Sequence, residues 1–293
     1  MATIPSKTQL STDSRSNSLP AKLHPVISQV DEHLSRLRTS ESASTSSSIR
    51  KRLSSLQDLH ECIGKLLQLP LTQQALAQEQ SEKWVEEMLD GSLRILDACS
   101  TAKDSLLHTK ECLRELQSIM RRKRGGETAF LIEVRKYLAS RKVMKKANQK
   151  VLKNLKGMDN KCNNDDETLA MVRMFKEIEA ADITLFESLL SFISGEKVQS
   201  KASKWSLVSK LVHHKKVVCE QEEDENEFEK VDAALQFLIE HKDSNSQIED
   251  VQKELQNLDS CIQDLEEGLE RLFRWLIRAR VSILNILNHW KNM

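Results

Sequence analysis

The chain has 293 residues, with 44 Lys and Arg balanced by 44 Asp and Glu, so its formal net charge is zero. Its 39% hydrophobic content lies outside the range of intrinsically disordered chains. The length suits one or two domains, and a single compact body of this size buries roughly 75% of its unfolded surface. No run of 18 apolar residues exists; the nearest stretch, Leu272 to Leu287, is interrupted by Arg274, Arg278 and Arg280, which excludes an ordinary transmembrane span.

Only 7 Gly and 4 Pro occur, and Pro70 is the last proline. These are the two strongest helix breakers, and their scarcity beside abundant Leu, Lys, Glu, Gln and Ala predicts long helices. A single Tyr and little clustering of β-branched residues argue against sheets. The expected fold is therefore all-α: an elongated bundle of long antiparallel helices with a coiled-coil-like C-terminal helix. Residues 1–22 are expected to be a disordered tail and 23–293 a helical bundle.

The tail is rich in Ser and Thr and has one acid, Asp13. That loosely fits a plastid transit peptide, but an ordinary tail on a cytoplasmic protein fits it better. A first helix is predicted over His24 to Arg38, with Val26, Ile27, Val30, Leu34 and Leu37 on one face. The serine-rich tract, residues 39–48, reads as a flexible linker. Helical spacing resumes at Ile49 through Leu53, Leu56, Leu59, Ile63 and Leu66, and Pro70 ends that helix or starts the next.

One long helix is predicted from Ser81 to about Met120, broken by Gly125 and Gly126. A basic amphipathic helix follows from Thr128 to Lys156, then a polar loop from Gly157 to Asp165. Leu169 to Ile193 has a wide apolar face that includes Phe175, Phe186 and Phe192. Residues 195–226 form a charged variable region, basic around Trp205 to Lys216 and then acidic.

The last helix carries the clearest pattern. Ser246 and Glu249 have capping-box spacing. Beyond them Val251, Leu255, Leu258, Ile262, Leu265, Leu269, Leu272, Leu276, Ala279, Ile283 and Ile286 fall at steps of three and four. Such a seam suits an intramolecular bundle or an intermolecular coiled coil, so a homo-oligomer stays open. Phe273, Trp275, Ile277, Val281, Leu284 and Leu287 widen the face in the last third, which favours a helix buried within a bundle.

Chemistry is sparse. The phosphate-binding, dinucleotide-binding, zinc-protease and serine-hydrolase motifs are all missing, and the eight histidines are scattered without zinc-finger spacing. His213 and His214 are adjacent, so a helix points them to different faces. Cys62, Cys99, Cys112, Cys162, Cys219 and Cys261 contain no C-x-x-C pair and read as reduced thiols packed in helices. No catalytic, cofactor-binding or metal residue is assigned, and a non-enzymatic protein is expected.

Charge is distributed unusually. Val134 to Met158 contains no acid, but holds Arg135, Lys136, Arg141, Lys142, Lys145, Lys146, Lys150, Lys153 and Lys156. Within it Arg135, Lys142, Lys145, Lys146 and Lys150 are the candidate basic surface. Such a block usually marks a solvated face, or one paired internally with the acidic run from Glu220 to Glu229. The sharper readings are binding to an anionic membrane surface, to a calmodulin-like receptor or to nucleic acid. Nucleic acid is disfavoured, because Tyr137 is the only aromatic in that acid-free run. In the tail, Arg15, Ser18 and Pro20 form R-S-x-S-x-P. This suits phosphorylation by a basophilic kinase and then docking of the phosphoserine onto a 14-3-3 protein.

Several strings resemble a plant-specific family, the domain-of-unknown-function 241 group related to the BYPASS-like proteins. They are Arg15 to Pro20, His24 to Arg38, Gln68 to Leu76, Trp84 to Asp104, Met120 to Glu127 and Gly268 to Asn288. The resemblance covers nearly the whole chain from Arg15. It implies a land-plant protein linked to root and shoot development; the helical, motif-poor chain is itself read as an interaction or regulatory protein with an unknown protein partner. The resemblance implies no activity, cofactor or catalytic residue.

Overall fold

The computed structural model describes residues 24–39, 45–78, 83–122, 126–156, 170–195, 226–240 and 245–291. Among these described residues the chain forms eight helices and no strand. They are α1 Pro25–Thr39, α2 Ser46–Leu66, α3 Pro70–Gln78, α4 Lys83–Arg122, α5 Gly126–Lys156, α6 Ala170–Ile193, α7 Glu227–Glu240 and α8 Asn245–Lys291.

Local chemistry explains the boundaries. Thr45 caps α2: its hydroxyl accepts from the Ser48 amide, and the Ser48 hydroxyl accepts from the Thr45 amide. The end of the serine-rich tract expected to be a linker is therefore a capping box and a first helical turn. Pro70 opens α3, where its missing N–H costs no hydrogen bond. Gly126 starts α5 rather than separating it from α4. α8 begins at Asn245, which places Ser246 inside the first turn and not at the cap. α7 is an element the periodicity reading passed over. Its signals are Asn226 as cap and Phe228, Val231, Leu235 and Leu238 at steps of three and four, set among acids that dilute the pattern.

Two long struts organise the molecule. At 1.5 Å per residue, α4 runs roughly 60 Å and α8 roughly 70 Å. They are antiparallel, since Lys110 pairs with Glu266, Lys103 with Glu270, and Arg280 reaches back to Ser92. At one end, α2 and α6 close a four-helix ring with them; at the other, α5 and α7 close a second. α1 lies over α2 and α6, and α3 rests on α8.

α2 runs parallel to α8, with Arg50 beside Asp264, Gln57 Nε2 donating to the Gly268 carbonyl at 2.8 Å, and Gly64 against Trp275. Gly268 permits this approach, because a Cβ there would lie 3.3 Å from Leu53 Cδ1.

The seam of α8 is the centre of the core. Leu255, Leu258, Ile262, Leu265, Leu269 and Leu272 are fully buried. α2, α3, α4 and α7 all pack on this helix, so the heptads serve an intramolecular bundle. Ile277 and Val281 depart from the expectation of all-round burial and remain about half exposed. By helical phase they point away from α2 and the core.

Cutting a buried Leu to Ala costs about 2–5 kcal/mol. Leu265→Ala with Leu272→Ala should therefore strongly lower or abolish the cooperative melt of the whole body, as followed by circular dichroism with light scattering. An unchanged melt would contradict the central role of α8.

Candidate functional site

α5 is the element on which the sequence-predicted surface residues meet the structure. Its inner face presents Val134, Tyr137, Arg141, Met144, Asn148, Leu152 and Leu155 to the core. Two of these residues are polar in a way that fixes the helix. Asn148 accepts from Ser105 Oγ of α4 at 2.8 Å and donates to Ser194 Oγ, just past the end of α6, at 3.2 Å. Thr109 donates to the Ser105 carbonyl at 2.7 Å. All four side chains are buried, and buried polar groups are costly to leave unpaired, so this chain sets the register of α4, α5 and α6.

Arg141, only 2% exposed, lies beside Asp232 of α7, with Nε–Oδ1 at 3.1 Å and Nη2–Oδ2 at 3.3 Å. Lys145 reaches the same carboxylate at 2.9 Å. The guanidinium also stacks over the Phe228 ring at 5.0 Å, and Phe228 meets Phe192 edge-on at 5.5 Å. Burial, the leading cause, pushes the neighbouring Tyr137 phenol well above its ordinary range.

The junction is tight because Gly195 ends α6 with φ of +64°, a left-handed conformation natural to glycine. Asn226 then bridges the two helix ends. Its Nδ2 donates to the Phe192 carbonyl at 2.7 Å, and its Oδ1 accepts from the Phe228 amide at 2.9 Å. Arg141 and Lys145 are therefore structural cations turned inward.

The outward face is different. Arg135, Lys142, Lys146 and Lys150 of the candidate surface are exposed, whereas Lys145 is half-buried in its pair with Asp232. Spacings of seven, four, four and three place Arg135, Lys142, Lys146, Lys150 and Lys153 along one row. Ile132, Ala139 and Val143 run beside it, and Val143 is 68% exposed. The tail residues Arg15, Ser18 and Pro20 lie outside the described residues.

Other chemistry-bearing groups sit inside the bundle. His60 Nε2 of α2 pairs with Asp182 Oδ1 of α6 at 2.8 Å, both almost completely buried. The two positions are far apart in sequence and share no motif, so no sequence signal announced them. One turn earlier on α6, Glu179 is pushed up to about 7, chiefly by burial and then by Asp182.

Cys62, Cys99, Cys112 and Cys261 are free thiols, and burial raises all four above their ordinary value. Cys112 lies 3.5 Å from His108 Nδ1, whose Nε2 is 3.2 Å from Ser140 Oγ, on the seam between α4 and α5. Because its thiol is held up, Cys112 is not a ready nucleophile at neutral pH. Among the described residues no group of three or more His, Cys, Asp or Glu could hold a metal ion, and no helix is long and apolar enough to cross a membrane. An open cleft of about 600 Å³ between α4 and α8 is lined by Lys103, Asp104, Leu107, Glu266, Glu267, Glu270 and Arg271.

Compared with known families, residues 52–286 match the sequence model described as Protein BPS1. The chain belongs to the BPS1 family. The match runs from α2 to the last turns of α8, so the BPS1 region contains both rings of the bundle, the inward clamp on α5 and its outward cationic row. The family is plant-specific. No curated protein and no solved structure matches the chain.

Two outcomes follow from the buried charges. Asp232→Ala leaves Arg141 buried without its counter-charge and should lower stability by about 3–5 kcal/mol in urea unfolding. Adding Arg141→Met should recover most of that loss. Glu179 has a folded value of about 7 against an ordinary 4.5, so its contribution is fully present below pH 4.5 and is lost as pH rises through 7. Glu179→Gln should therefore match the parent's stability near pH 4.5 and exceed it above pH 7, as read from melts across that range.

Proposed function

We propose that this BPS1-family chain is a non-enzymatic helical interaction protein acting in root and shoot development, with the outer face of α5 as its docking surface. The observation that supports the reading is a division of labour on one helix. Arg141, Lys145 and Asn148 are used internally, and the rest of the helix holds a row of exposed cations uninterrupted by any acid from Val134 to Met158. A helix fixed by buried polar contacts presents its charges already ordered, which spares the ordering cost on binding. Exposed lysines contribute little to stability of the fold itself, so their alignment is free to serve a partner. The developmental role comes from the family resemblance.

The test is genetic. A plant lacking this protein is complemented with the parent chain or with Lys142→Glu, Lys146→Glu and Lys150→Glu combined. The triple variant should fold and accumulate like the parent, because all three side chains are exposed, yet fail to restore root and shoot growth. Full restoration would refute α5 as the docking surface.

A further inference from the structure

From the outer face of α5 we infer a specific class of partner, an anionic lipid bilayer surface. The inference rests on the reading of α5 as the docking surface and adds what that surface recognises. The exposed row from Arg135 to Lys153 spans 18 residues and therefore roughly 27 Å along the helix. It is a convex ridge on a single helix. The cleft of about 600 Å³ is lined by α4 and α8 and takes no residue from α5. A ridge without a groove meets a plane better than it meets a protruding anchor.

The side-chain types point the same way. The row has one Arg and four Lys, namely Lys142, Lys146, Lys150 and Lys153. Protein interfaces favour Arg and aromatic anchors and are depleted in Lys. Lysine is a compact charge on a long apolar stem, suited to a field of lipid phosphates and carboxylates in no fixed geometry.

Apolar residues are interleaved with these charges. Val143, the most exposed of them at 68%, sits between Lys142 and Lys146, and Ile132 is 49% exposed nearer the helix start. This is the pattern of a helix lying in the interface plane, with small apolar side chains entering the headgroup layer while cations meet the surface potential. Single-stranded nucleic acid would ask for exposed aromatic rings on this face. Tyr137 is buried and Phe130 packs against the core.

Two acids close to this helix are already engaged by cations outside the row. Asp232 is taken up by Arg141 and Lys145, and Glu133 by Lys136 at 2.9 Å, outside the row.

The full chain is sedimented with vesicles of phosphatidylcholine alone or with added phosphatidylserine, at low salt and at 0.5 M salt. It should pellet only with the phosphatidylserine vesicles, and salt should release it by screening. Lys142→Glu, Lys146→Glu and Lys150→Glu combined should weaken binding roughly a hundredfold or more, since each cation at an anionic surface contributes about a fivefold factor before repulsion is counted. A control that reverses the same number of exposed lysines elsewhere, Lys51, Lys83 and Lys253, should keep most of the binding.

No pelleting with phosphatidylserine vesicles at low salt would overturn the inference. So would an equal loss in the control, or tight binding to polyuridylic acid or polyglutamate with none to vesicles. If vesicles fail to bind but the α5 triple variant still fails to restore growth, the lipid inference falls and the docking surface stands. If the triple variant restores growth, the docking surface itself falls.

Discussion

The buried seam of α8, from Val251 to Ile286, is covered at once by α2, α4 and α7, and α3 also rests on the helix, so the position of almost every other element is set against it. A heptad seam is usually shared between two or three like helices. Here it is shared among helices of different length and direction, with α2 parallel and α4 antiparallel to it. The close approach of α2 depends on two glycines, Gly64 against Trp275 and Gly268 against Leu53. The ion pairs along the struts, Lys103 with Glu270 and Lys110 with Glu266, are partly buried between α4 and α8 and fix the alignment of the two helices.

The polar interior does a different task. Ser105, Asn148 and Ser194 tie three helices together, and Arg141 with Asp232 ties α5 to α7. Apolar packing tolerates small slips in register, whereas a buried amide or guanidinium does not, because a slip strands it without a partner. The rotation of α5 about its own axis is therefore fixed, and with it the direction in which Lys142, Lys146 and Lys150 point. A surface property of the molecule is set by groups that solvent barely touches.

Much of the fold was legible in the sequence because it follows from period. The seam residues of α8, the inner face of α2 and the long run of α4 lie where three- and four-residue spacing puts them. α7 was missed because Phe228, Val231, Leu235 and Leu238 follow directly on an acidic run, and its significance lies in Asp232, whose partner Arg141 is 91 residues away. The basic block on α5 was legible as composition, but not the split within it. Lys145 and Lys146 are neighbours in sequence, yet one is bound to Asp232 and the other faces water. Helical phase could suggest that split only once the inner face was known. His60 and Asp182 had no sequence signature at all, since a buried pair joined across two helices leaves no local pattern.

The order of synthesis gives the position of α8 another meaning. α2, α3, α4 and α7 are all made before the helix that covers them. Until α8 emerges, α2 lacks the helix it packs on most, and α4 has only α5 and α6 against it. A parallel pair such as α2 and α8, separated by some two hundred residues, also requires the closure of a very long loop before its contacts form. The nascent chain is thus a natural client for chaperones that shield apolar surface during translation, and its yield in a cell depends on how long that shielding lasts.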